Sequence, residues 1–254
     1  MNRRNVFLSI LITAVTLFGC GARYAVTGIE RSRVLIDKRY DAANDAELQA
    51  FIAPYKQRVD SLVAPVVGRA GCNMSAGRPE SSLSNLMTDI LVWAGQRCGE
   101  QPQFAVYNIG GMRAAIGEGD VTRGDIINVA PFDNKVCFIT LTGEQVQRLF
   151  EQIAKRGGEG VSSSVRLVID KNRQLKRATI DGKPIDPKAQ YRVVTNDYVV
   201  QGNDGMPAFK EGTQLTAPQT EESNVRYVMM DYFSEQMKAG KAVCGKCEGR
   251  IIIE

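Results

Sequence analysis

Apolar residues recur along this chain with two periods, and each period predicts an element. Leu83, Leu86, Met87, Ile90, Leu91 and Ala94 mark one face of a helix that follows the polar segment Arg78-Pro79-Glu80-Ser81-Ser82. An earlier stripe of Leu48, Phe51, Ile52, Tyr55, Val59, Leu62 and Val63 has helical spacing too. Asn44-Asp45-Ala46-Glu47 reads as its capping box. Pro54 should kink that helix or mark its true start, and Pro65 should end it. Val146, Leu149, Phe150 and Ile153 form a stripe behind Thr142-Gly143-Glu144-Gln145, a second capping-box pattern. A last stripe carries Val225, Val228, Met229, Tyr232 and Phe233.

Short apolar runs at 104–107, 136–141, 165–169, 176–180 and 191–194 read as strands, with a strand-like ending at 251–253. Asp181-Gly182 and Gly117-Glu118-Gly119-Asp120 read as turns, and the Gly/Ser-rich stretch 156–164 as a mobile loop. Helices and strands are mixed without regular βαβ alternation, so the predicted class is α+β, a mixed sheet with flanking helices. There is no internal repeat and no inter-domain linker, so residues 44–254 are expected to form one domain.

Composition adds one strong exclusion. The 254 residues are 44% hydrophobic and 24% charged, ordinary for a globular protein, but they contain no histidine. That removes Ser-His-Asp and Cys-His catalysis, His-ligated zinc and dinuclear His/Asp metal sites. Arg3 and Arg4 precede an apolar run from Val6 to Phe18 and then Gly19-Cys20. A basic start and a short apolar core read as a signal peptide over 1–19. Leu17-Phe18-Gly19-Cys20 resembles a bacterial lipobox, in which Cys20 would be lipidated and anchor the protein to a membrane outside the cytoplasm. Residues 20–43 would be the tether. Cleavage would take two arginines and lower the net charge from +4 to +2, which gives no bulk-charge argument for nucleic acid.

Five further cysteines stand at 72, 98, 137, 244 and 247. In an oxidising compartment disulfides are permitted. Cys244 and Cys247 form a CxxC after the last helix pattern, where a local disulfide or a bond to Cys72 or Cys98 is favoured over redox catalysis. No second CxxC stands at zinc spacing.

Three polar segments, two of them containing glycine, each follow an apolar strand. Asn108-Ile109-Gly110-Gly111-Met112-Arg113 offers a close backbone approach and a forked cation. Ala130-Pro131-Phe132-Asp133-Asn134 holds an aromatic on a rigid turn. Asn196-Asp197-Tyr198 leads through Val199-Val200-Gln201 to Gly202-Asn203-Asp204-Gly205, an aromatic followed by a carboxylate in a glycine turn. A flat ring, a hydroxylated sugar and a phosphate would suit this set. Each segment alone is also an ordinary turn or loop.

In this order, with the Leu-x-Gly helix start and Arg78-Pro79-Glu80-Ser81-Ser82-Leu83-Ser84-Asn85-Leu86 upstream, the segments resemble the C-terminal domain of the 5′-nucleotidase family. That family also includes UDP-sugar hydrolases and 2′,3′-cyclic phosphodiesterases. The resemblance covers roughly residues 40–254. It implies a nucleotide or nucleoside ligand whose base lies between Phe132 and Tyr198. Asn108 and Arg113 would reach the phosphate or ribose side, with the Gly110-Gly111 backbone beside them. Asp204 would bind ribose hydroxyls, and Arg78 lies near a family arginine. Tyr198 replaces the commoner Phe, and Asn203 replaces a Gly, a position that Asn tolerates at positive φ.

Full-length family members carry an N-terminal metallophosphoesterase domain with two metals held by His, Asp and Asn. That set is missing here, so the resemblance implies no metal site, cofactor or catalytic residue in this chain and no hydrolysis by it alone. The expectation is a substrate-specificity half, with divalent metals on a separate metallophosphoesterase chain. A non-catalytic nucleoside-binding lipoprotein for capture or sensing is the alternative, and a third reading keeps the glycine motifs as turns without a ligand.

Overall fold

The computed structural model of the chain describes residues 24–40 and 45–254. The segment 1–19, Cys20 and Asn44 lie outside the described residues, and the stretch 20–43 is described only in part. Two compact units are distinguished, one ending at Phe51 and one running Ile52–Glu254. In the first, Asp37 and Arg39 pair at 2.8 Å around a short 3-10 turn, Lys38–Tyr40. Asp45 Oδ1 accepts the Leu48 N–H at 3.0 Å and caps helix α1, Ala46–Val63. Pro54 sits inside α1 without ending it, and no α1 residue is buried. The spacing of its apolar stripe is therefore helical, but the stripe is not core.

From its N-terminal side the second unit continues through β1 (Val66–Ala70), α2 (Ser82–Arg97), β2 (Phe104–Tyr107), β3 (Gly119–Thr122), α3 (Arg123–Val129) and β4 (Val136–Thr142). Next come α4 (Gly143–Lys155), β5 (Gly160–Val161), β6 (Val165–Ile169), β7 (Leu175–Ile180), β8 (Lys183–Pro184) and β9 (Gln190–Asn196). The last elements are α5 (Asp197–Val200), β10 (Thr213–Thr216), α6 (Val225–Lys238) and β11 (Ile251–Ile253). The main sheet has the order β10-β4-β9-β2-β5. In it β2 and β9 are parallel and the other pairs antiparallel, so the sheet is mixed. A β1-β3 pair and a β11-β6-β7-β8 sheet complete the unit.

Both faces of the main sheet are covered, which is why its strands are continuous apolar runs. On β2, Phe104 and Val106 enter a core with Val146, Leu149 and Phe150 of α4. Ala105 and Tyr107 point the other way, into a core with Leu83, Met87 and Leu91 of α2 and Phe233 of α6. Burying a side chain such as Leu83 or Phe150 stabilises the fold by about 1.5–3 kcal/mol. Ser81 with Ser84 caps α2, and Thr142 with Gln145 caps α4, in reciprocal capping boxes. Asp181 and Gly182, at φ 51° and 72°, make the tight turn between β7 and β8.

The chain's end is built into the fold. Cys72 bonds to Cys244, which leaves Cys247 and Cys98 as exposed thiols and Cys137 as a buried one. The CxxC is therefore not a local disulfide. Arg250 is buried and pairs with Asp89 of α2 at 2.6 Å. The stretch 156–164, expected to be a mobile loop, supplies β5, which pairs with β2, and the buried Glu159 and Ser162. No described helix is long and apolar enough to cross a membrane.

Candidate functional site

Adjacent parallel strands β2 and β9 both lead into asparagine, and their following turns meet beyond the sheet. Asn196 ends β9 and caps α5, its Oδ1 accepting the Val199 N–H at 2.7 Å. Its Nδ2 donates to Asn108 Oδ1 at 3.2 Å, and Asn108 Nδ2 donates to Asp204 Oδ2 at 2.7 Å. Two buried amides thus relay from the sheet to one carboxylate. The antiparallel strand β4 enters beside them, with Val136 opposite Asn196. The turn that precedes β4 carries Phe132 and Asn134.

These three turns line one cleft of about 350 Å³. Asn108, Gly110, Gly111 and Arg113 come from the first, Phe132 and Asn134 from the second, Tyr198 and Asp204 from the third. Every candidate in the three segments is brought together. Phe132 and Tyr198 are 47% and 41% exposed, far more than a core aromatic. The Arg113 guanidinium lies over the Phe132 ring, 5.9 Å from its centre.

Local chemistry explains the shape. The chain turns from Asn108 through a 3-10 turn, Ile109–Gly111, with the Gly111 N–H donating to Asn108 O at 3.0 Å. A Cβ on Gly111 would stand 2.9 Å from both Asn108 Oδ1 and Tyr107 Cε1, so only glycine fits. Tyr107 is buried beneath this turn. Burial pushes its phenol up to about 12, against hydrogen bonds with Asn196 and Asn134. In the third turn Gly202, Asp204 and Gly205 take φ of 78°, 52° and 67°. The left-handed position falls on Asp204 and not on Asn203, whose Nδ2 instead donates to Tyr198 O at 2.8 Å. The second turn is clamped by α6 and its cap: Asn224 Nδ2 donates to Asp133 Oδ1 at 2.6 Å, and Arg226 Nη2 donates to Pro131 O at 3.1 Å.

Arg78 is placed differently from the other candidates. It does not line the cleft but lies behind the Gly110-Gly111 turn, paired with Glu159. Glu159 also accepts from Arg156 and, through Oε2, from the Ile109 N–H at 2.6 Å. Glu159, Arg156, Asn224 and Arg226 escape sequence reasoning because the partners that tie them to the cleft (Arg78, Ile109, Asp204, Asp133 and Pro131) lie far away in the chain. Asn134 was visible as the second residue after Phe132. Among the described residues no group of three or more His, Cys, Asp or Glu stands where it could hold a metal ion.

Comparison with known proteins gives one consistent match. The family model described as "5'-nucleotidase, C-terminal domain" matches residues 64–211. The trifunctional nucleotide phosphoesterase protein YfkN of Bacillus subtilis is 32% identical over 188 residues, 68% of this chain and 12% of its own length. Cell wall protein Lmo0130 of Listeria monocytogenes is 28% identical over 233 residues, 81% of this chain and 29% of its own. The solved 5'-nucleotidase precursor from Thermus thermophilus superposes with a TM-score of 0.71 at 29% identity, covering 83% of this chain and 43% of that one. The chain spans less than half the length of each of these relatives.

Proposed function

Because this chain belongs to the 5'-nucleotidase C-terminal domain family, we propose that its cleft binds the nucleoside part of a nucleotide. It would be the substrate-recognition half of a phosphohydrolase whose metal centre lies outside these 254 residues. The observation that carries the reading is the pair of half-exposed rings, Phe132 and Tyr198, lining one cleft with a fixed carboxylate and an arginine.

A purine or pyrimidine ring stacks on such aromatics at about 1–3 kcal/mol per base. Asp204 accepts from ribose hydroxyls, with Asn108 holding its other oxygen. Arg113 takes the phosphate: a base stacking on the Phe132 face displaces the guanidinium from it, and a forked cation suits a phosphate. The exposed Gly110 lets the ligand approach the backbone. Arg78 acts from behind this surface. The described residues offer no donor set for the divalent metals of phosphate-ester hydrolysis, so the residues of the cleft are assigned binding and orientation alone. A separate metallophosphoesterase chain would supply the metals. A lipid on Cys20 would hold the protein on the extracytoplasmic side of a bacterial membrane. A relative named as a cell wall protein supports the extracytoplasmic part of this reading.

Paired titrations test the reading. Wild-type protein should bind AMP more tightly than adenosine, and Arg113→Ala should bring the two to one affinity. Equal affinities in the wild type refute the phosphate role of Arg113. Binding of neither ligand refutes the site. AMP hydrolysis that appears only when a metal-loaded phosphoesterase domain is added supports the split enzyme; no hydrolysis with any such domain leaves capture or sensing as the role.

A further inference from the structure

The group that ties the cleft together lies outside its lining. Glu159 follows Gly157 and Gly158, both at positive φ, in the link between α4 and β5. It is 1% exposed, and a buried carboxylate is costly unless paired and hydrogen-bonded. Its Oε2 accepts the Ile109 N–H at 2.6 Å, at the start of the glycine turn. Its Oε1 accepts from two guanidinium groups, Arg78 Nη2 and Arg156 Nε. Arg78 is itself fixed, with Nε donating to Gly158 O at 2.8 Å. There is no slack around this cluster: a Cβ on Gly158 would stand 2.2 Å from Pro79 O.

Arg156 carries the arrangement into the cleft. While its Nε is held by Glu159, its Nη2 lies 3.6 Å from Asp204 Oδ1, the oxygen that Asn108 does not hold. Burial works against the guanidinium charge, but the Glu159 hydrogen bond and charge, with Asp204 behind them, raise its pKa overall. Asp204 is thus gripped on one oxygen by an amide and steadied at the other by a cation whose direction Glu159 sets.

We infer that Glu159 is a positioning residue for ribose recognition, acting through Arg156 on the Asp204 carboxylate. The inference rests on the reading of the cleft as a nucleoside site. Without Glu159 the Arg156 side chain loses its anchor, and Asp204 loses one of the two groups that aim it. The Phe132 ring, attached to the second turn, keeps its place as a stacking face.

The test compares adenosine with 2′,3′-dideoxyadenosine, which stacks equally but lacks the hydroxyls. Titration of the wild type should show a preference for adenosine. Glu159→Gln keeps the shape and removes the charge. It should weaken adenosine about tenfold, the worth of one charge-assisted hydrogen bond, and leave dideoxyadenosine unchanged. Arg156→Met alters a partly exposed side chain and should collapse the same ratio, which decides the matter if Glu159→Gln does not fold. A ratio retained by either folded variant, or equal weakening of both ligands, overturns the inference while the nucleoside site stands. A wild type that binds both ligands equally removes the Asp204 role and the inference with it. A wild type that binds neither removes the site itself.

Discussion

Adding one methyl group at Gly111 should damage both the fold and the cleft, whereas the same change at its neighbour should spare the fold. In Gly111→Ala the new Cβ would meet Asn108 Oδ1 at 2.9 Å, Tyr107 Cε1 at 2.9 Å and Tyr107 Oη at 3.1 Å. Two of those contacts are closer than carbon tolerates, and neither partner can yield without losing packing or a hydrogen bond. Tyr107 is 1% exposed, and Asn108 is held on both sides by Asn196 and Asp204. Overpacking of this kind costs about 1–3 kcal/mol. For a domain of this size that lowers Tm by roughly 3–10 °C. If Asn108 gives way, Asp204 loses its amide donor, worth about 1.5–3 kcal/mol and so roughly 10–100-fold in ligand affinity. At Gly110 the nearest atom to a new Cβ is Asp204 Oδ2 at 3.8 Å, an ordinary contact. Gly110→Ala should therefore melt within about 1 °C of the wild type, inside the scatter of surface substitutions. Thermal unfolding by circular dichroism, with adenosine titration of each variant, measures both effects. A Gly111→Ala protein that melts and binds like the wild type would show that this turn is not locked as described.

Two further outcomes concern stability. Replacing Cys72 and Cys244 together by Ser opens a cross-link spanning 172 residues, which should cost about 2–5 kcal/mol; an unchanged midpoint in urea would contradict the clamp on the chain's end. Arg192 hydrogen bonds hold the Glu100 carboxyl below its ordinary value of 4.5, against partial burial. A depressed folded pKa stabilises at neutral pH and loses that contribution as pH falls below the unfolded value. Glu100→Gln should therefore lower Tm at neutral pH, with the gap to the wild type closing in acid; a gap that stays constant would refute the pairing.

Much of the fold was legible because its cores leave periodic traces. The α2 stripe is long and regular, and Thr142 announces its helix through Gln145, three places on. The short pair β3 and α3 was missed although Thr122 and Asp125 form a capping box. Seven helical residues with Gly124 among them give too few turns for periodicity to register. The α1 stripe gave the helix but not its exposure, since spacing reports a face and not what covers it. The lining of the cleft was legible for a different reason: its glycines, aromatics and carboxylate stand in an ordered set of segments that resembles one family, whereas the left-handed position expected at Asn203 falls on Asp204. Arg78 and Glu159 are 81 residues apart and Asn108 and Asp204 are 96 apart. Such pairings follow only from the tertiary fold, as does the choice of Cys72 over Cys247 as the partner of Cys244.

Calorimetric titration of adenosine into the purified chain and its Phe132→Ala variant tests the central claim most directly. The wild type should bind saturably, and Phe132→Ala should weaken binding about tenfold or more with its melting temperature unchanged, since the ring is half-exposed. A folded wild type that takes up no adenosine, or a variant that binds it equally well, would contradict the account.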